Sequence, residues 1–293
     1  MDVLALLTDL GPATSVATLK ESFPEMSRSE LEDMLRRFRR VWRKRYRRNG
    51  FVLRWTRPGT VWAMDYTETP PIDGVEQYLL AVRDLSSGQQ LLAWPTESST
   101  AEETVAALGL LFSRDGAPLV MKMDNGPPFI AELTQEFLTR HGVFCLCSPP
   151  YTPQYNGSIE AGIGSLKSRI ERRAAWLGHP ETWSREDGEA ARQEANALTR
   201  PWGCLGPTPD ERWKNRERIT KESRDQFQVL VEHHRNQAQK EEGKATSEEL
   251  TEKEARRIDR IAIRRALVDH GDLLFRRRSI PLDIKTLKTA EIT

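Results

Sequence analysis

The sequence is poor in cysteine and has no long apolar run. Cys145, Cys147 and Cys204 are too few for a disulfide framework, and no Cys-x-x-Cys or paired Cys/His spacing indicates a zinc site. No apolar stretch approaches the roughly 18 residues of a membrane span, and the acidic Asp2 does not suit a secretory signal peptide. We therefore expect a soluble intracellular protein with no membrane partner, in which Cys145 and Cys147 are buried thiols of one strand.

Net charge is also nearly absent, because 44 basic and 43 acidic residues leave only +1, which by itself argues against a nucleic-acid partner. The total hides a cancellation along the chain. Residues 1–57 hold 13 basic and 7 acidic residues, net +6, whereas residues 58–179 hold 8 and 14, net −6. Residues 180–293 are nearly balanced, with 23 and 22. This pattern is expected if a basic arm contacts phosphates while an acidic core binds cations; a merely solvated acidic core is the alternative.

Helical apolar patterns open the chain and predict a helix-turn-helix module over residues 1–50. Two short patterns end before Gly11 and Pro24. A longer third pattern begins at Ser27, whose spacing to Glu30 is that of a capping box. Helices joined by short turns are the layout of a helix-turn-helix fold.

A run of basic residues follows within the third predicted helix, and no acidic residue occurs from Arg36 to Arg57. Such a run repels itself, and a polyanion would offset the repulsion, so we expect it to contact the DNA backbone. A solvated charged helix is the alternative. The predicted contacts are Arg36, Arg37, Arg39, Arg40, Arg43, Lys44, Arg45, Arg47 and Arg48.

Beyond Thr60 the apolar period changes from that of helices to that of strands. Strands are predicted over residues 61–66, 77–82, 90–94, 119–123 and 143–147. Helices are predicted from Thr100, over residues 131–140 and from near Ser158. The order βββαβαβα, with a hairpin turn after the second strand and crossovers later, predicts an α/β fold: a mixed five-stranded sheet flanked by helices.

Three motifs lie in order on these predicted elements: WAMDYT at residues 62–67, MDNG at residues 123–126 and YTPQYNGSIE at residues 151–160. Asp65 and Asp124 have 58 residues between them, and Asp124 and Glu160 have 35. These motifs and spacings resemble the D, D(35)E catalytic core of the DDE transposases and retroviral integrases. The resemblance extends over residues 55–215.

The resemblance implies an RNase H-like fold and makes Asp65, Asp124 and Glu160 the catalytic, metal-binding carboxylates. In this family a water hydrolyses a phosphodiester at a transposon end with the help of two Mg²⁺ ions, for which Mn²⁺ substitutes, and the freed 3′-hydroxyl attacks target DNA. Hard cations take oxygen ligands, which carboxylates on rigid elements supply. Taken singly, each acid has an alternative role as an ordinary surface or helix-capping residue.

Further DNA contacts are predicted around the third motif. Thr152, Gln154 and Asn156 of its loop are candidates for lining the DNA groove, and Asn156 has the alternative role of capping the catalytic helix. Lys167 lies two helical turns after Glu160, where related integrases carry a DNA-contacting lysine.

Past the core the chain is polar and helical. The apolar stripes of Phe227 with Val231, and of Ile258 with Ala262, are narrow. Such stripes favour packing on another subunit, on DNA or in an assembly; partly flexible solvated helices are the alternative. Residues 273–284 are compatible with a short strand pair or an extended basic arm.

These patterns divide the chain into a helix-turn-helix module with its basic arm (1–50), a linker (51–57), an RNase H-like core (58–215) and a charged helical C-terminal region (216–293). The expected function is that of a bacterial transposase, acting at the nucleoid in the cytoplasm, that joins transposon ends to double-stranded target DNA. Two ends must meet, so at least a homodimer is expected. The alternatives are a domesticated, catalytically silent DNA-binding protein and an RNase H-fold nuclease without strand transfer.

Overall fold

A computed structural model describes residues 2–149, 153–245 and 249–282. Thr152, one of the predicted DNA contacts, lies outside these described residues. The chain forms two compact units: the smaller joins the segment up to Leu53 with the segment from Phe275 onward, and the larger is Arg54–Leu274. In the described residues no helix is long and apolar enough to cross a membrane.

The helices, in chain order, are α1 (Val3–Leu10), α2 (Val16–Ser22), α3 (Arg28–Arg45), α4 (Ala101–Asp115), α5 (Pro127–Ile130), α6 (Glu132–Arg140), α7 (Gly157–Trp176), α8 (Arg185–Leu198), α9 (Pro209–Lys214), α10 (Lys221–Glu241) and α11 (Glu252–Asp269). The strands are β1 (Arg47–Trp55), β2 (Val61–Ile72), β3 (Glu76–Asp84), β4 (Gln90–Thr96), β5 (Val120–Met123), β6 (Phe144–Cys147) and β7 (Leu273–Pro281). A 3-10 turn, Pro153–Asn156, leads directly into α7.

The smaller unit has its own apolar core. Helices α1, α2 and α3 bury a shared cluster that includes Leu7, Leu19, Leu31 and Leu35. The predicted capping box is present: the Ser27 hydroxyl accepts from the backbone N–H of Glu30, and the Glu30 carboxylate accepts from the N–H of Ser27. The three helical patterns of the sequence therefore correspond to three packed helices.

Residues 51–55, predicted to be part of a linker, instead belong to strand β1, which pairs with β7 in a two-stranded sheet. Arg47 holds this pairing, since its Nε donates to the Ser279 hydroxyl over 3.0 Å. The strand was not predicted, because its partner is more than 200 residues away in the sequence and a strand on its own in a basic segment has no local signal.

The larger unit is built on a sheet of order β4-β3-β2-β5-β6. Strand β2 is antiparallel to β3 and parallel to β5, and β5 is parallel to β6. The predicted mixed five-stranded sheet flanked by helices is confirmed. A short hairpin connects β3 to β4, because these strands are antiparallel. The parallel strands are joined by longer connections that contain helices, because a short turn cannot join parallel strands.

Helices cover both faces of this sheet because its strands are apolar on both sides. Trp62 and Met64 of β2 face a core shared with α4 and with Trp213 of α9. On the opposite face, Ala63 packs with Ile159 of α7. Asp65 lies two residues beyond Ala63 and so belongs to the face that α7 covers.

The C-terminal helices also pack on this sheet, contrary to the expectation of packing on another subunit, on DNA or in an assembly. Phe227 of α10 and Ala262 of α11 are buried in one cluster with Val61, Val120 and Leu146 of the strands. The compact unit therefore continues past residue 215 to Leu274. A narrow stripe on each helix suffices because the two helices and the sheet bury one another's apolar surface.

Candidate active site

Two of the three predicted carboxylates belong to neighbouring parallel strands, Asp65 within β2 and Asp124 directly after β5. The register of β2 against β5 pairs Ala63 with Lys122. Asp65 lies two residues further along β2, Asp124 directly follows the last residue of β5, and adjacent strands are about 4.8 Å apart. The sheet thus brings together two acids that have 58 residues between them in the sequence.

Helix α7 carries the third carboxylate, Glu160, in its first turn. Ile159 and Ile163, on the buried side of α7, pack against Ala63 and Ala81 of the sheet. Glu160 itself is exposed. The buried isoleucines fix the rotation of the helix and leave Glu160 toward solvent at the sheet edge where Asp65 and Asp124 lie.

A close contact between α7 and β3 sets the distance between this helix and the sheet. The guanidinium of Arg83 donates through Nη1 to the carbonyl oxygen of Ser158 over 2.9 Å. Gly162 passes directly over Arg83, and a Cβ at position 162 would lie 2.7 Å from that Nη1. The absence of a side chain at Gly162 therefore allows the helix carrying Glu160 to approach the sheet.

The three carboxylates interact electrostatically. Burial, followed by the negative charge of Asp124, raises the pKa of Asp65 from 3.8 to about 7, and Glu160 adds to the rise. A backbone hydrogen bond from Tyr66 opposes these effects. Asp65 is thus held where its charged form is costly unless positive charge is supplied nearby.

A tight turn orients Asp124 at the end of β5. Its Oδ1 accepts from the backbone N–H of Gly126 over 2.8 Å. A Cβ at residue 126 would lie 2.9 Å from that oxygen, so a side chain there would push the carboxylate away. The side-chain amide of Asn125 donates to the carbonyl of Ser148 over 2.9 Å and anchors the other side of the turn.

The closeness of these carboxylates does not by itself make a metal site. Across the described ranges 2–149, 153–245 and 249–282, no three His, Cys, Asp or Glu side chains converge closely enough to hold a metal ion. The metal-binding role of Asp65, Asp124 and Glu160 stays a prediction.

A buried lysine ties the start of α7 to the sheet. Lys122 of β5 donates to the side-chain oxygen of Asn156 over 2.8 Å and to the backbone carbonyl of Tyr155, and its Nζ lies 4.1 Å from the centre of the Tyr155 ring. Burial lowers the pKa of Lys122 to about 8, against the opposing effect of Glu160. The lysine links the strand of Asp124 to the helix of Glu160.

Two of the DNA contacts predicted around the third motif, Asn156 and Lys167, form hydrogen bonds within the chain instead. Asn156 is only 6% exposed and accepts from Lys122 and from the Ser148 hydroxyl, and its side chain does not cap α7. Gln154 lies in the 3-10 turn. Lys167 donates over 2.7 Å to the carbonyl of Glu68 and so joins α7 to β2. Asn156 and Lys167 thus have roles within the chain.

The predicted basic contacts in the smaller unit fall into three groups. Arg39 donates to the carbonyl oxygens of Pro12 and Thr14, each over 2.9 Å, and so braces the three helices. Arg36 and Arg37 pair with Asp33 at the helix surface. Exposed side chains without an ion pair to another described residue are Arg40, Arg43, Lys44, Arg45, Arg47 and Arg48.

Sequence reasoning missed Lys122, Arg83, Gly126 and Gly162, which position the carboxylates rather than carry the chemistry. One signal was available: Lys122 is the single charge in the otherwise apolar strand Val120–Met123. A charge at such a position requires buried partners, but the sequence does not name them.

Comparisons with known proteins match part of the chain. Residues 56–153 match the family described as integrase core domain. The Gag-Pol polyprotein of woolly monkey sarcoma virus is 34% identical over 134 residues, which are 45% of this chain and 8% of the polyprotein. The chain therefore spans a small part of the length of the curated relatives it matches.

Solved structures resemble the chain at the level of fold. A cryo-EM structure of the simian T-cell lymphotropic virus intasome in complex with PP2A regulatory subunit B56 gamma matches with a TM-score of 0.50 and 19% identity, covering 70% of this chain and 76% of that one. The HTLV-2 integrase catalytic core domain in complex with magnesium matches with a TM-score of 0.45 and 23% identity, covering 56% of this chain and all of that one.

Proposed function

We propose that this chain, which matches the integrase core domain over residues 56–153, is a member of the superfamily of DDE transposases and retroviral integrases and acts as a transposase. In this proposal it cleaves phosphodiester bonds at the ends of a mobile element and joins the freed 3′-hydroxyl to double-stranded target DNA. The reaction takes place at the nucleoid in a bacterial cytoplasm. The observation that carries the proposal is the placement of Asp65 in β2, of Asp124 directly after the neighbouring β5 and of Glu160 in the first turn of α7, where the charges of Asp124 and Glu160 raise the pKa of Asp65.

The chemistry of these side chains fits divalent magnesium, with manganese as a substitute. All three offer carboxylate oxygen, the ligand that hard cations prefer. Burial and the neighbouring charges raise the pKa of Asp65 to about 7, which a cation bound among the carboxylates would reverse. When bound, two such ions would activate the attacking oxygen and stabilise the leaving oxygen of a phosphodiester.

The other residues of the site hold the carboxylates in position. Gly126 and Asn125 orient Asp124, while Lys122 and Arg83 fix the start of the helix that carries Glu160. Precise positioning matters because a displacement of about 1 Å can cost a hundredfold in rate. The site therefore depends on the positioning residues as well as on the carboxylates.

The smaller unit is proposed to bind the transposon ends as a helix-turn-helix module. Its helix α3 presents exposed cations, among them Arg40, Arg43 and Lys44, that form no ion pair with another described residue. Phosphate contacts of this kind fix register but carry no base sequence. Because two ends are joined in one event, we propose at least a homodimer as the active form.

A strand-joining assay tests the proposed function. Purified full-length protein with Mg²⁺ is expected to join a labelled transposon-end duplex to plasmid DNA. Asp124→Asn keeps the size of the side chain but removes its charge, so joining should fall by a factor of roughly 10³ or more while duplex binding persists. Glu102→Gln, an equivalent change in the exposed first turn of α4, serves as the matched control and should retain joining.

Different outcomes separate the alternatives. Joining that survives Asp124→Asn would remove the site assignment. Cleavage of the end without joining would identify a nuclease of the same fold. Duplex binding by the wild-type protein with neither reaction would identify a DNA-binding protein that has lost catalysis.

A further inference from the structure

An open groove of 710 Å³ runs along the first half of helix α11. One wall is the helix itself, with the basic residues Lys253, Arg256, Arg257 and Arg260. Asn125, which directly follows Asp124, contributes to the other wall. A predominantly basic surface therefore lies beside the turn that carries one of the candidate catalytic carboxylates.

The basic side of α11 continues along the same edge of the sheet. Strand β6 pairs with β5 so that Cys147 is opposite Met123, the residue before Asp124. Arg256 and Cys147 line one pocket, and Tyr155 packs in one apolar cluster with Ala262 and Ile263 of α11. Helix α11 thus lies beside the end of β6 and the turn before α7, and its Arg256 and Arg260 line the groove together with Asn125.

The acidic residues along this groove are already engaged. Glu252 pairs with Arg256 one helical turn away, and Glu254 pairs with Lys244 while it also completes the capping box with Thr251. Arg257 pairs with Glu242, the residue that follows α10. In each of these pairs the acidic and the basic side chain neutralise each other. The net positive charge of this surface therefore comes from basic side chains that are not paired.

Three cations are left over, and they share one side of the helix. Lys253, Arg260 and Arg264 form no ion pair within the part of the chain that the structure describes; Lys253 and Arg264 are exposed, and Arg260 is partly exposed. Their spacings of seven and four residues place them on one face, over roughly 16 Å at 1.5 Å per residue. We call these three residues the α11 basic stripe.

We propose that the α11 basic stripe binds the sugar-phosphate backbone of duplex DNA as the duplex enters the active site. The inference rests on the proposed function, because phosphodiester chemistry at Asp124 requires a phosphate backbone beside that residue. Guanidinium groups bind phosphate oxygens in a bidentate manner, and unpaired cations gain most from counterion release. A length of about 16 Å corresponds to roughly five base pairs of duplex at 3.4 Å each.

Salt-dependent binding of labelled duplex DNA tests the stripe. The triple variant Lys253→Gln, Arg260→Gln, Arg264→Gln is compared with the full-length wild type by fluorescence anisotropy, without divalent ions so that no reaction intervenes. Each lost phosphate contact lowers the slope of log affinity against log salt by about 0.9, so we expect the slope to fall by about 2 to 3. Affinity near 100 mM salt should fall at least tenfold.

Two further variants control for charge and for folding. Lys221→Gln, Lys240→Gln, Arg265→Gln removes the same charge from α10 and α11 away from the groove and should leave the slope within about 0.5 of wild type. Lys253→Arg, Arg260→Lys, Arg264→Lys keeps the charge and should restore the wild-type slope. A stripe variant that has merely unfolded would also lose its thermal transition, which the slope measurement alone does not detect.

The inference is overturned if the Gln stripe variant binds duplex DNA with the wild-type slope and affinity. It is equally overturned if the variant changes the oligomeric state in light scattering while the slope is kept, since α11 would then be a subunit interface. Binding is read without catalysis, so a wild-type protein that binds but never joins DNA would contradict the proposed function and leave the test of the stripe intact.

Discussion

Helices α3 and α11 both carry rows of arginine, yet they differ in how much of their charge is committed within the chain. Helix α3 has basic residues of one sign from Arg36 onward, and most of them are exposed. Helix α11 contains both acidic and basic residues, and the charge left on its surface depends on which of them form ion pairs. A run of one sign can be recognised from the sequence, whereas the residual charge of a mixed helix is known only once its partners are.

The two helices also differ in what holds them. Leu31 and Leu35 anchor α3 in a small cluster of three helices, while α11 lies with α10 against the large sheet. A small core buries less surface and gives less stability per residue. We therefore expect substitutions under α11 to have larger effects on stability than polar substitutions in α3.

The largest effect is expected from removing the anchor of α10 and α11. Phe227 is fully buried, and its ring meets that of Phe144 edge to face at 5.6 Å. Phe227→Ala should lower the free energy of unfolding of the larger unit by about 3–5 kcal/mol. Hydrogen exchange of α10 and α11 peptides measures the change.

Val229→Ala provides the control for this substitution, since Val229 lies in the same helix but is 64% exposed. Its effect should stay within about 0.5 kcal/mol. Equal effects of the two substitutions would mean that α10 is not held by the sheet, and α11 would then lose its position beside Asp124.

A smaller effect is expected within α3, where Arg39 and Arg40 are adjacent but differ in role. Arg39→Ala removes the donors to the carbonyls of Pro12 and Thr14 and should lower the free energy of unfolding of the smaller unit by about 1–2 kcal/mol. Arg40→Ala should leave stability unchanged and lower the salt slope of DNA binding by about 1. Hydrogen exchange of α1 peptides and anisotropy report the two quantities. The opposite assignment would contradict the division of α3 into bracing and DNA-contacting residues.

The smallest effect is expected from making α11 more like α3. Glu252→Gln removes the partner of Arg256, and because Glu252 is largely exposed, stability should change by less than about 0.5 kcal/mol. The freed Arg256 lines the groove, so the salt slope of duplex binding should rise by up to about 1. Glu241→Gln, which frees Arg265 outside the groove, should leave the slope as it was. Equal slopes for both variants would show that position along the groove is irrelevant.

The sheet and the three carboxylates could be predicted from the sequence because their signals are local. A continuous apolar run marks the start of β2, and Asp65 stands out at its end. The motif spacing then relates Asp65 to Asp124 and Glu160 by resemblance. The smaller unit's capping box at Ser27 is equally local, and it is present.

The remaining features depend on partners far away in the sequence. Strand β1 exists because β7 pairs with it, and Lys122 is tolerated because the side chain of Asn156 and the backbone carbonyl of Tyr155 accept hydrogen bonds from its ammonium group. Phe227 is buried against Phe144 and Leu146 of β6, which precede it by some 80 residues in the sequence. Neither hydrophobic period nor motif spacing carries such information, because both describe neighbours along the chain.

The most direct test of the account is whether the three carboxylates hold divalent cations together. Mn²⁺, used as a paramagnetic substitute for Mg²⁺, loses its free-ion electron paramagnetic resonance signal when it binds the full-length protein. The account predicts binding to the wild type and a strong loss of binding in Asp65→Asn, Asp124→Asn and Glu160→Gln, with Glu102→Gln unchanged. Wild-type binding in all three variants, or no binding by the wild type, would contradict it.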